Sequence, residues 1–282
     1  MPIDLDAYRE QSRAAWGAMA PGWDDRRDWL LDSTGRVSEW LLQRADPQPG
    51  QTLLELAAGT GDLALALAER VGEHGRVIAS DFAPEMVAVA RRTGEARGVT
   101  NVEYRVLDGE QLDLEDATVD GVVCRFGYML MADPARAFAE TRRVLRSGGS
   151  LSFAVWQGPD RNPWATQPSA TLVQLGHVPP PEPGAPGIFA LADPARPREL
   201  VVEAGFGEPE LEEIAFDFRY ADADDLWDTL VRITGPLARA IDGLSEGERQ
   251  ATRAAIEGSL SPFLTEDGSY RAPAAAWAVH VR

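Results

Sequence analysis

Short apolar runs alternate with amphipathic stretches between residues 52 and 156. The stretches carry apolar residues at three- and four-residue intervals, which is the spacing of a helix with one buried face. The runs predict strands over 52–56, 76–80, 102–106, 121–125 and 150–156, and the stretches predict helices over 62–71, 84–97 and 134–145. This alternation predicts a parallel α/β sheet covered by helices on both faces.

The chain before this region has a helical pattern. Residues 5–19 and 29–42 carry apolar side chains at helical spacing, and the Pro21-Gly22 pair between them predicts a break. Residues 46–50 read Asp-Pro-Gln-Pro-Gly, which predicts a linker. Two helices and a linker are therefore expected before the first strand.

The pattern changes again after residue 156. Residues 157–198 hold ten of the twenty prolines and show no regular period, which predicts either a solvated loop or part of a lid. The remaining pattern predicts helices over 199–204 and 222–258 and strands over 211–220 and 274–281. The helical pattern over 222–258 is in two pieces, with a break near Gly235-Pro236 and a new cap near Ser245.

Composition and charge disfavour several classes of protein. Of 282 residues, 45 are acidic and 27 basic, all of them arginine, which gives a net charge of −18. This balance disfavours nucleic acid and anionic membranes as partners. No apolar run approaches the roughly 18 residues of a membrane span, and the N-terminus has no signal-peptide pattern. With one cysteine and three scattered histidines, we expect a cytoplasmic protein without disulfides or a metal site.

The segment with the strongest chemical signal follows the first predicted strand. The strand runs into Gly59-Thr-Gly61, and a helix is predicted from Asp62. Glycine permits positive φ and close approach of a ligand to the backbone, and the first helical N–H groups face that ligand. With Ala64 the glycines also satisfy the dinucleotide pattern G-x-G-x-x-[G/A], which is a weak signal alone. A turn without a ligand is the alternative.

Two acidic residues raise the specificity of this signal. Glu55 lies inside an otherwise apolar strand, where an unpaired carboxylate is costly to bury, so it needs a partner such as a ligand ammonium. Asp81 ends the second strand, where a carboxylate accepts hydrogen bonds from ribose hydroxyls in doubly wound folds. Together with the glycines, the two acids predict a nucleoside-binding site.

Two further positions are weaker signals. Asp108 follows the third strand, where it either accepts from an adenine amine or forms an ordinary Asp-Gly turn. Cys124 lies within the fourth strand without a basic partner, which favours a small buried residue over a nucleophile.

The motifs as a set resemble those of a known family. Glu55-Leu-Ala-Ala-Gly-Thr-Gly61, Ser80-Asp-Phe-Ala-Pro-Glu-Met86 and Val106-Leu-Asp-Gly-Glu110 are similar to the class I S-adenosylmethionine-dependent methyltransferases. Their order and spacing are closest to the ubiquinone/menaquinone-biosynthesis-like branch. Phe126-Gly127 and Leu145-Arg-Ser-Gly-Gly149 add to the match, which is strong over about residues 50–156.

The resemblance implies a doubly wound, Rossmann-like α/β fold whose seven-stranded sheet has an antiparallel last strand. It implies four segments: an N-terminal helical lid (1–45), an S-adenosylmethionine-binding core (46–156), a Pro-rich insertion or lid (157–198), and the rest of the sheet with a helical cap at about 222–260 (199–282).

The resemblance also implies roles for individual residues. The loop at Gly59 would cradle the methionine part of S-adenosylmethionine, Asp81 would hold the ribose, Phe82 and Met86 would flank the adenine, and Asp108-Gly109 would read its amine. Residues 16–24 are similar to the family's aromatic N-terminal helix, with Trp23 where that pattern has a tyrosine; Trp16 and Trp23 are otherwise core anchors. The expected cofactor contacts are Trp23, Glu55, Ala57, Gly59, Thr60, Gly61, Asp81, Phe82, Met86, Asp108, Gly109, Glu110, Arg125 and Phe126.

Methyl transfer from a sulfonium is an in-line displacement, for which alignment of donor and acceptor can supply about 7–11 kcal/mol. A general base is needed only if the acceptor must lose a proton that water cannot take. The positions that suggest a base are Tyr128, Asp133 and His177. His177 lies in the Pro-rich insertion, where a solvent-facing histidine is the alternative.

We therefore expect an S-adenosylmethionine-dependent methyltransferase acting on a small apolar or aromatic molecule, as a monomer or homodimer, with S-adenosylhomocysteine as the other product. Two alternatives remain open. The glycine pattern also fits an NAD(P)-dependent oxidoreductase, although Glu55 and the Asp108-Gly109 turn disfavour it. The third reading is a repurposed, non-catalytic protein that binds S-adenosylmethionine on the same fold.

Overall fold

The computed structural model describes residues 4–181 and 184–282, and seven strands form its central sheet. The strands are β1 (Thr52–Leu56), β2 (Arg76–Asp81), β3 (Val102–Val106), β4 (Val119–Arg125), β5 (Leu145–Trp156), β6 (Glu210–Tyr220) and β7 (Tyr270–Val281). Their order is β3-β2-β1-β4-β5-β7-β6, with β1 to β5 parallel and β7 antiparallel to both of its neighbours. The predicted doubly wound sheet with an antiparallel last strand is confirmed.

The order of the strands reverses at β1. The chain moves outward from β1 to β2 and β3, then returns to the other side of β1 for β4 and β5. Loops that leave β1 and β4 therefore turn in opposite directions. The crevice between the carboxyl ends of these two strands is where ligands bind in doubly wound sheets.

Helices cover both faces of the sheet. They are α1 (Leu5–Asp25), α2 (Arg27–Ala45), α3 (Asp62–Val71), α4 (Pro84–Ala96), α5 (Pro134–Val144), α6 (Pro163–Gln174), α7 (Ala195–Glu203), α8 (Ala223–Ile233), α9 (Gly235–Asp242) and α10 (Glu246–Leu260). α2 packs over β4 to β7, whereas α1 packs on α4, α8 and α9. In the described ranges, no helix combines the length and apolar composition that a membrane crossing requires.

The predicted break at Pro21-Gly22 is wrong, because α1 continues through both residues to Asp25. Proline removes one helical hydrogen bond, but the packing of α1 on α4 and α8 keeps the helix continuous. Gly22 permits the contact with α8, because a Cβ at this position would collide with the carbonyl oxygen of Arg232. The break falls instead at Arg26, which separates α1 from α2.

The segment 157–198 is also more regular than expected. It contains α6 and the start of α7, and α6 packs against α10. Pro163 occupies the first turn of α6, where a missing N–H breaks no helical bond, so this proline marks the start of the helix. The region 222–258 forms three helices rather than two, with α9 set between Thr234 and Gly243.

Two glycines with positive φ provide a test of this packing. Gly61 and Gly98 have φ values of +83° and +70°, but a Cβ on Gly61 would lie 2.7 Å from the Cβ of Ala90, whereas one on Gly98, just after α4, would meet nothing within 4 Å. We expect Gly61→Ala to lose about 1–3 kcal/mol more unfolding free energy than Gly98→Ala, because only the first overpacks α3 against α4. Urea denaturation of both variants measures the difference. Equal losses would show that the approach of α4 does not require glycine at residue 61.

Candidate active site

The loops that leave β1 and β4 share an unusual backbone conformation. Ala57, just after β1, and Phe126, just after β4, have φ values of 53° and 63°, in the left-handed region that side chains other than glycine rarely adopt. Gly59 follows in the same region at 55°. Strained turns of this kind cost about 1–3 kcal/mol each and cluster at functional sites. Both walls of the crevice between β1 and β4 therefore carry this strain.

Asp81 joins the glycine loop to the end of β2. Its Oδ2 accepts a hydrogen bond from the N–H of Gly59 at 2.9 Å, and its Oδ1 accepts one from the N–H of Ala83 at 3.0 Å. Burial raises the pKa of Asp81, and the two backbone donors oppose that rise. The carboxylate thus fixes the position of the loop through one oxygen and the start of α4 through the other.

Glu55 lies on β1 and is only 2% exposed. Burial raises the pKa of this carboxyl group to about 8, with the positive charge of Arg125 acting in the opposite direction. Its Oε2 has no hydrogen-bond partner among the described residues. An unpaired carboxyl oxygen is costly to bury, so a bound cation or an ordered water fits at this atom.

Trp23 covers the glycine loop from α1. Its six-membered ring lies 3.7 Å from the position that a Cβ on Gly59 would take. The indole Nε1 donates to the carbonyl oxygen of Ile233 at 3.2 Å, and Trp16 packs edge-on at 5.4 Å between ring centroids. Trp23 therefore provides ring contact over the loop, while its N–H group joins α1 to the end of α8.

Arg27, at the start of α2, is a contact that the sequence did not suggest. Its Nη1 donates to the carbonyl oxygen of Thr60 at 3.1 Å and to both carboxylate oxygens of Asp62 at 2.8 and 2.9 Å. The side chain of Thr60 also donates to Asp62, at 3.0 Å. The hydroxyl of Thr60 is thus engaged within the loop, and the Cβ position of Gly61 faces Ala90 of α4 rather than the crevice.

The loop after β3 is held by its own hydrogen bonds. Asp108 Oδ1 accepts from the N–H of Glu110 at 2.9 Å. Glu110 accepts from the Nε of Arg9 at 3.0 Å and from the N–H of Ala132 at 2.7 Å, so both of its oxygens have protein donors. A Cβ on Gly109 would lie 2.7 Å from the Cε of Met131. Glu110 therefore joins α1 to this loop, and the bond to Asp108 Oδ1 fixes the turn.

The residues expected beside the adenine separate into two environments. Phe82 is half-buried, and the guanidinium of Arg13 lies 4.3 Å from its ring centroid. Met86 is 1% exposed and packs with Met19 and Ala20 beneath α1. Phe82 thus keeps part of its ring accessible, whereas Met86 is fully packed beneath α1, the helix whose Arg13 lies over Phe82.

An aromatic wall begins at the end of β4. Phe126 stacks on Trp156, at the end of β5, with ring centroids 3.9 Å apart and planes 7° from parallel. Trp156 also contacts Trp164 at 5.0 Å, and Trp164 contacts Phe218 at 4.6 Å. We use "aromatic wall" for Phe126, Trp156, Trp164, Phe216, Phe218 and Trp29. The sequence suggested Phe126 as a cofactor contact and Trp164 as a lid residue, but it did not predict their packing together, because the contacts join β4, β5, β6, α2 and α6.

The three residues considered as bases have structural partners. Tyr128 is completely buried, stacks on Phe138, and bonds through its hydroxyl to Thr141 at 2.6 Å. Asp133 caps α5 by accepting from the N–H of Arg136, and His177 bonds to the hydroxyl of Thr252 on α10 at 3.0 Å. The structure does not bring the three together. No group of three or more potential metal ligands occurs in the described part of the chain.

Comparison with known proteins decides the family. A family model described as a methyltransferase domain matches residues 53–149. The 2-phytyl-1,4-naphtoquinone methyltransferase of Trichormus variabilis is 32% identical over 159 residues, which are 55% of this chain and 68% of that protein. The demethylmenaquinone methyltransferase of Thermus thermophilus is 46% identical over 134 residues, which are 46% of this chain and 60% of that protein.

The chain belongs to the class I S-adenosylmethionine-dependent methyltransferases. Its sequence relatives place it in the ubiquinone/menaquinone-biosynthesis-like branch. The crystal structure of a candidate methyltransferase from Bacillus halodurans C-125 has the same fold, with a TM-score of 0.57 at 22% identity, over 87% of this chain and 97% of that one.

S-adenosylmethionine is therefore the cofactor of this methyltransferase. The residues present fit it, because the crevice offers an unpaired Glu55 Oε2 for a cationic ligand and a glycine at residue 59 where a Cβ would narrow the space beneath Trp23. The NAD(P) interpretation of the glycine pattern has no support among the comparisons.

The burial of Glu55 predicts a specific pH dependence of stability. Because the folded-state pKa is raised from 4.5 to about 8, the protonated carboxyl stabilises the folded protein at low pH, and this contribution is lost as pH rises through that interval. The measurement is thermal denaturation of the methyltransferase without ligand. We expect the Tm of Glu55→Gln minus that of wild type to increase from pH 4.5 to about 8 and to stay constant above pH 8. Glu69→Gln, at an exposed position of α3, is the matched control. Parallel pH curves for Glu55→Gln and wild type would contradict the assignment.

Proposed function

We propose that this methyltransferase methylates a small aromatic acceptor of the quinol or phenol class. The observation that carries the proposal is the aromatic wall, which starts at the strand end beside the cofactor crevice and extends across β5, β6 and α6. Phe126, Trp164 and Phe216 are only half-buried, so each keeps part of its side chain accessible. Offset stacking of a planar acceptor on these rings is favourable and orients it.

We propose that the cofactor lies along the carboxyl ends of β1 to β3. The backbone at Gly59 would hold the methionine part, Glu55 the ammonium group, Asp81 the ribose, and Phe82 with Asp108 the adenine. When bound, S-adenosylmethionine supplies an electrophilic methyl group on a positively charged sulfur. The protein's part is to align the acceptor with that methyl group and to exclude water.

The helical segments outside the core are proposed to be lids. Residues 1–45 contact the glycine loop through Arg27 and the β3 loop through Arg9. α6 and α8 to α10 cover the other side, where α6 contributes Trp164 to the aromatic wall. An acceptor held between these segments would be shielded from solvent, which favours dispersal of the sulfonium charge.

The relatives support an aromatic acceptor. Their names give phytyl-naphthoquinone, ubiquinone and menaquinone chemistry, but the three matches span only 46–55% of this chain. Acceptor choice depends on the lids. We therefore propose the chemical class, a planar ring bearing oxygen, and not a particular quinone.

The proposal is tested by incubating the protein with S-adenosylmethionine and 1,4-naphthohydroquinone. We expect S-adenosylhomocysteine and a product heavier by one methylene unit in mass spectrometry. Cyclohexane-1,4-diol, which has the same oxygen spacing without an aromatic ring, should give neither. If S-adenosylhomocysteine binds but no aromatic acceptor is ever methylated, the repurposed binding protein replaces this function.

The aromatic wall predicts a variant that separates acceptor binding from cofactor binding. Trp164→Leu should raise the KM for 1,4-naphthohydroquinone about two- to tenfold, because it removes one stacking partner worth roughly 0.5–1.5 kcal/mol. The affinity for S-adenosylhomocysteine should not change. Trp277→Leu is the control, since Trp277 lies on β7 with its indole N–H bonded to Ala192 and takes no part in the wall. Equal KM values for Trp164→Leu and wild type would remove the wall from acceptor binding.

A further inference from the structure

Arg125 is the last residue of β4 and directly precedes Phe126 of the aromatic wall. Its Nη1 donates to the hydroxyl of Thr34 at 2.9 Å and to that of Ser38 at 2.6 Å, both on α2. No protein acceptor bonds to its Nε or Nη2 within the described ranges. Neither nitrogen is among the buried polar atoms that lack a partner in the described residues, and Arg125 is half-buried at the carboxyl end of β4, the strand that borders the crevice.

The charge of Arg125 is not neutralised by a direct ion pair. Many arginines of this acidic protein contact a carboxylate within 4.0 Å, but Arg125 contacts only hydroxyl groups in the part of the chain described. The charged groups that face it are Glu55 of β1 and Asp62 of α3, which act at longer range. Since a partly buried cation without a bonded anion is costly, the position is suited to an anionic ligand.

We propose that Arg125 binds the oxygen of the acceptor as an anion, a phenolate or enolate, while the aromatic wall stacks on its ring. This inference rests on the proposed function. Two open N–H donors beside a ring-binding surface match a planar ligand with a charged oxygen at its edge. Ionisation increases the electron density on that oxygen and on the ring carbons next to it, which are the atoms that attack a methyl group.

The proposal also accounts for the side chains first considered as bases. Tyr128, Asp133 and His177 have structural partners, so a proton acceptor from this set is not in place. An acceptor that is ionised on binding loses its hydroxyl proton to water before methyl transfer. If a ring carbon attacks, the proton on that carbon leaves to water after the transfer, so neither route requires a protein base. Arg125 is thus a positioning and charge-stabilising residue for the acceptor.

The test uses 4-nitrophenol, whose absorbance changes on ionisation, as a probe bound to the protein saturated with S-adenosylhomocysteine. In wild type we expect the pKa of the bound probe to fall by about one unit, because an opposite charge at close range lowers a phenol pKa. Arg125→Gln should abolish the shift and Arg125→Lys should retain part of it. Thr34→Val, which removes one bond to α2 but keeps the guanidinium, should retain the shift.

A merely structural role for Arg125 would give a different result. Arg125→Gln and Thr34→Val would then both lose stability, and the pKa of the bound probe in wild type would equal that of free 4-nitrophenol. Absence of probe binding to wild type would also overturn the inference. The pKa shift of bound 4-nitrophenol is measured on wild-type protein. The test therefore still gives an answer if Arg125→Gln does not fold. Methylation of 1,4-naphthohydroquinone with an unshifted probe would refute Arg125's role and leave the proposed function standing.

Discussion

The hydrogen bond from Gly59 to the carboxylate of Asp81 determines how the rest of the site is arranged. It joins the loop after β1 to the end of β2 across 2.9 Å, and the same carboxylate holds the start of α4 through Ala83. The loop can make this bond because its residues adopt positive φ, a conformation that is strained at Ala57 and free at Gly59. Once the loop is fixed, Glu55 lies beneath it and Trp23 above it.

The N-terminal segment depends on that loop in turn. Arg27 bonds to Thr60 and Asp62, and this pair is well buried, with side chains 11% and 4% exposed. Exposed ion pairs contribute about 0–1 kcal/mol, whereas loss of one partner from a buried pair costs about 3–5 kcal/mol. The many surface pairs of this acidic protein therefore matter less for the position of α1 and α2 than the single buried contact with the glycine loop.

Sequence reasoning succeeded where the signal is local. The strand, the glycines and Asp81 follow each other at fixed spacing, so the sheet and the glycine turn that leads into α3 could be predicted. It failed where distant segments meet: packing on α4 and α8 carried α1 through Pro21, α6 begins at a proline that suggested a loop, and Tyr128 is buried against α5. Arg27 has no spacing signal, because its partners lie more than 30 residues away. Arg125 was expected as a cofactor contact from its place in the motif, but its bonds to Thr34 and Ser38 on α2 could not be predicted for the same reason. Over 222–258 the sequence pattern predicted two helical pieces, whereas the structure has three helices, α8 to α10.

The most direct test of this account is calorimetric titration of S-adenosylhomocysteine and NADH into wild-type protein and Gly59→Val. A valine at residue 59 adds side-chain atoms between the loop and the Trp23 ring, in a backbone conformation that valine disfavours. The account predicts that wild type binds S-adenosylhomocysteine and not NADH, and that Gly59→Val binds neither. Undiminished binding of S-adenosylhomocysteine by Gly59→Val, or binding of NADH by wild type, would contradict the assignment of the cofactor to this loop.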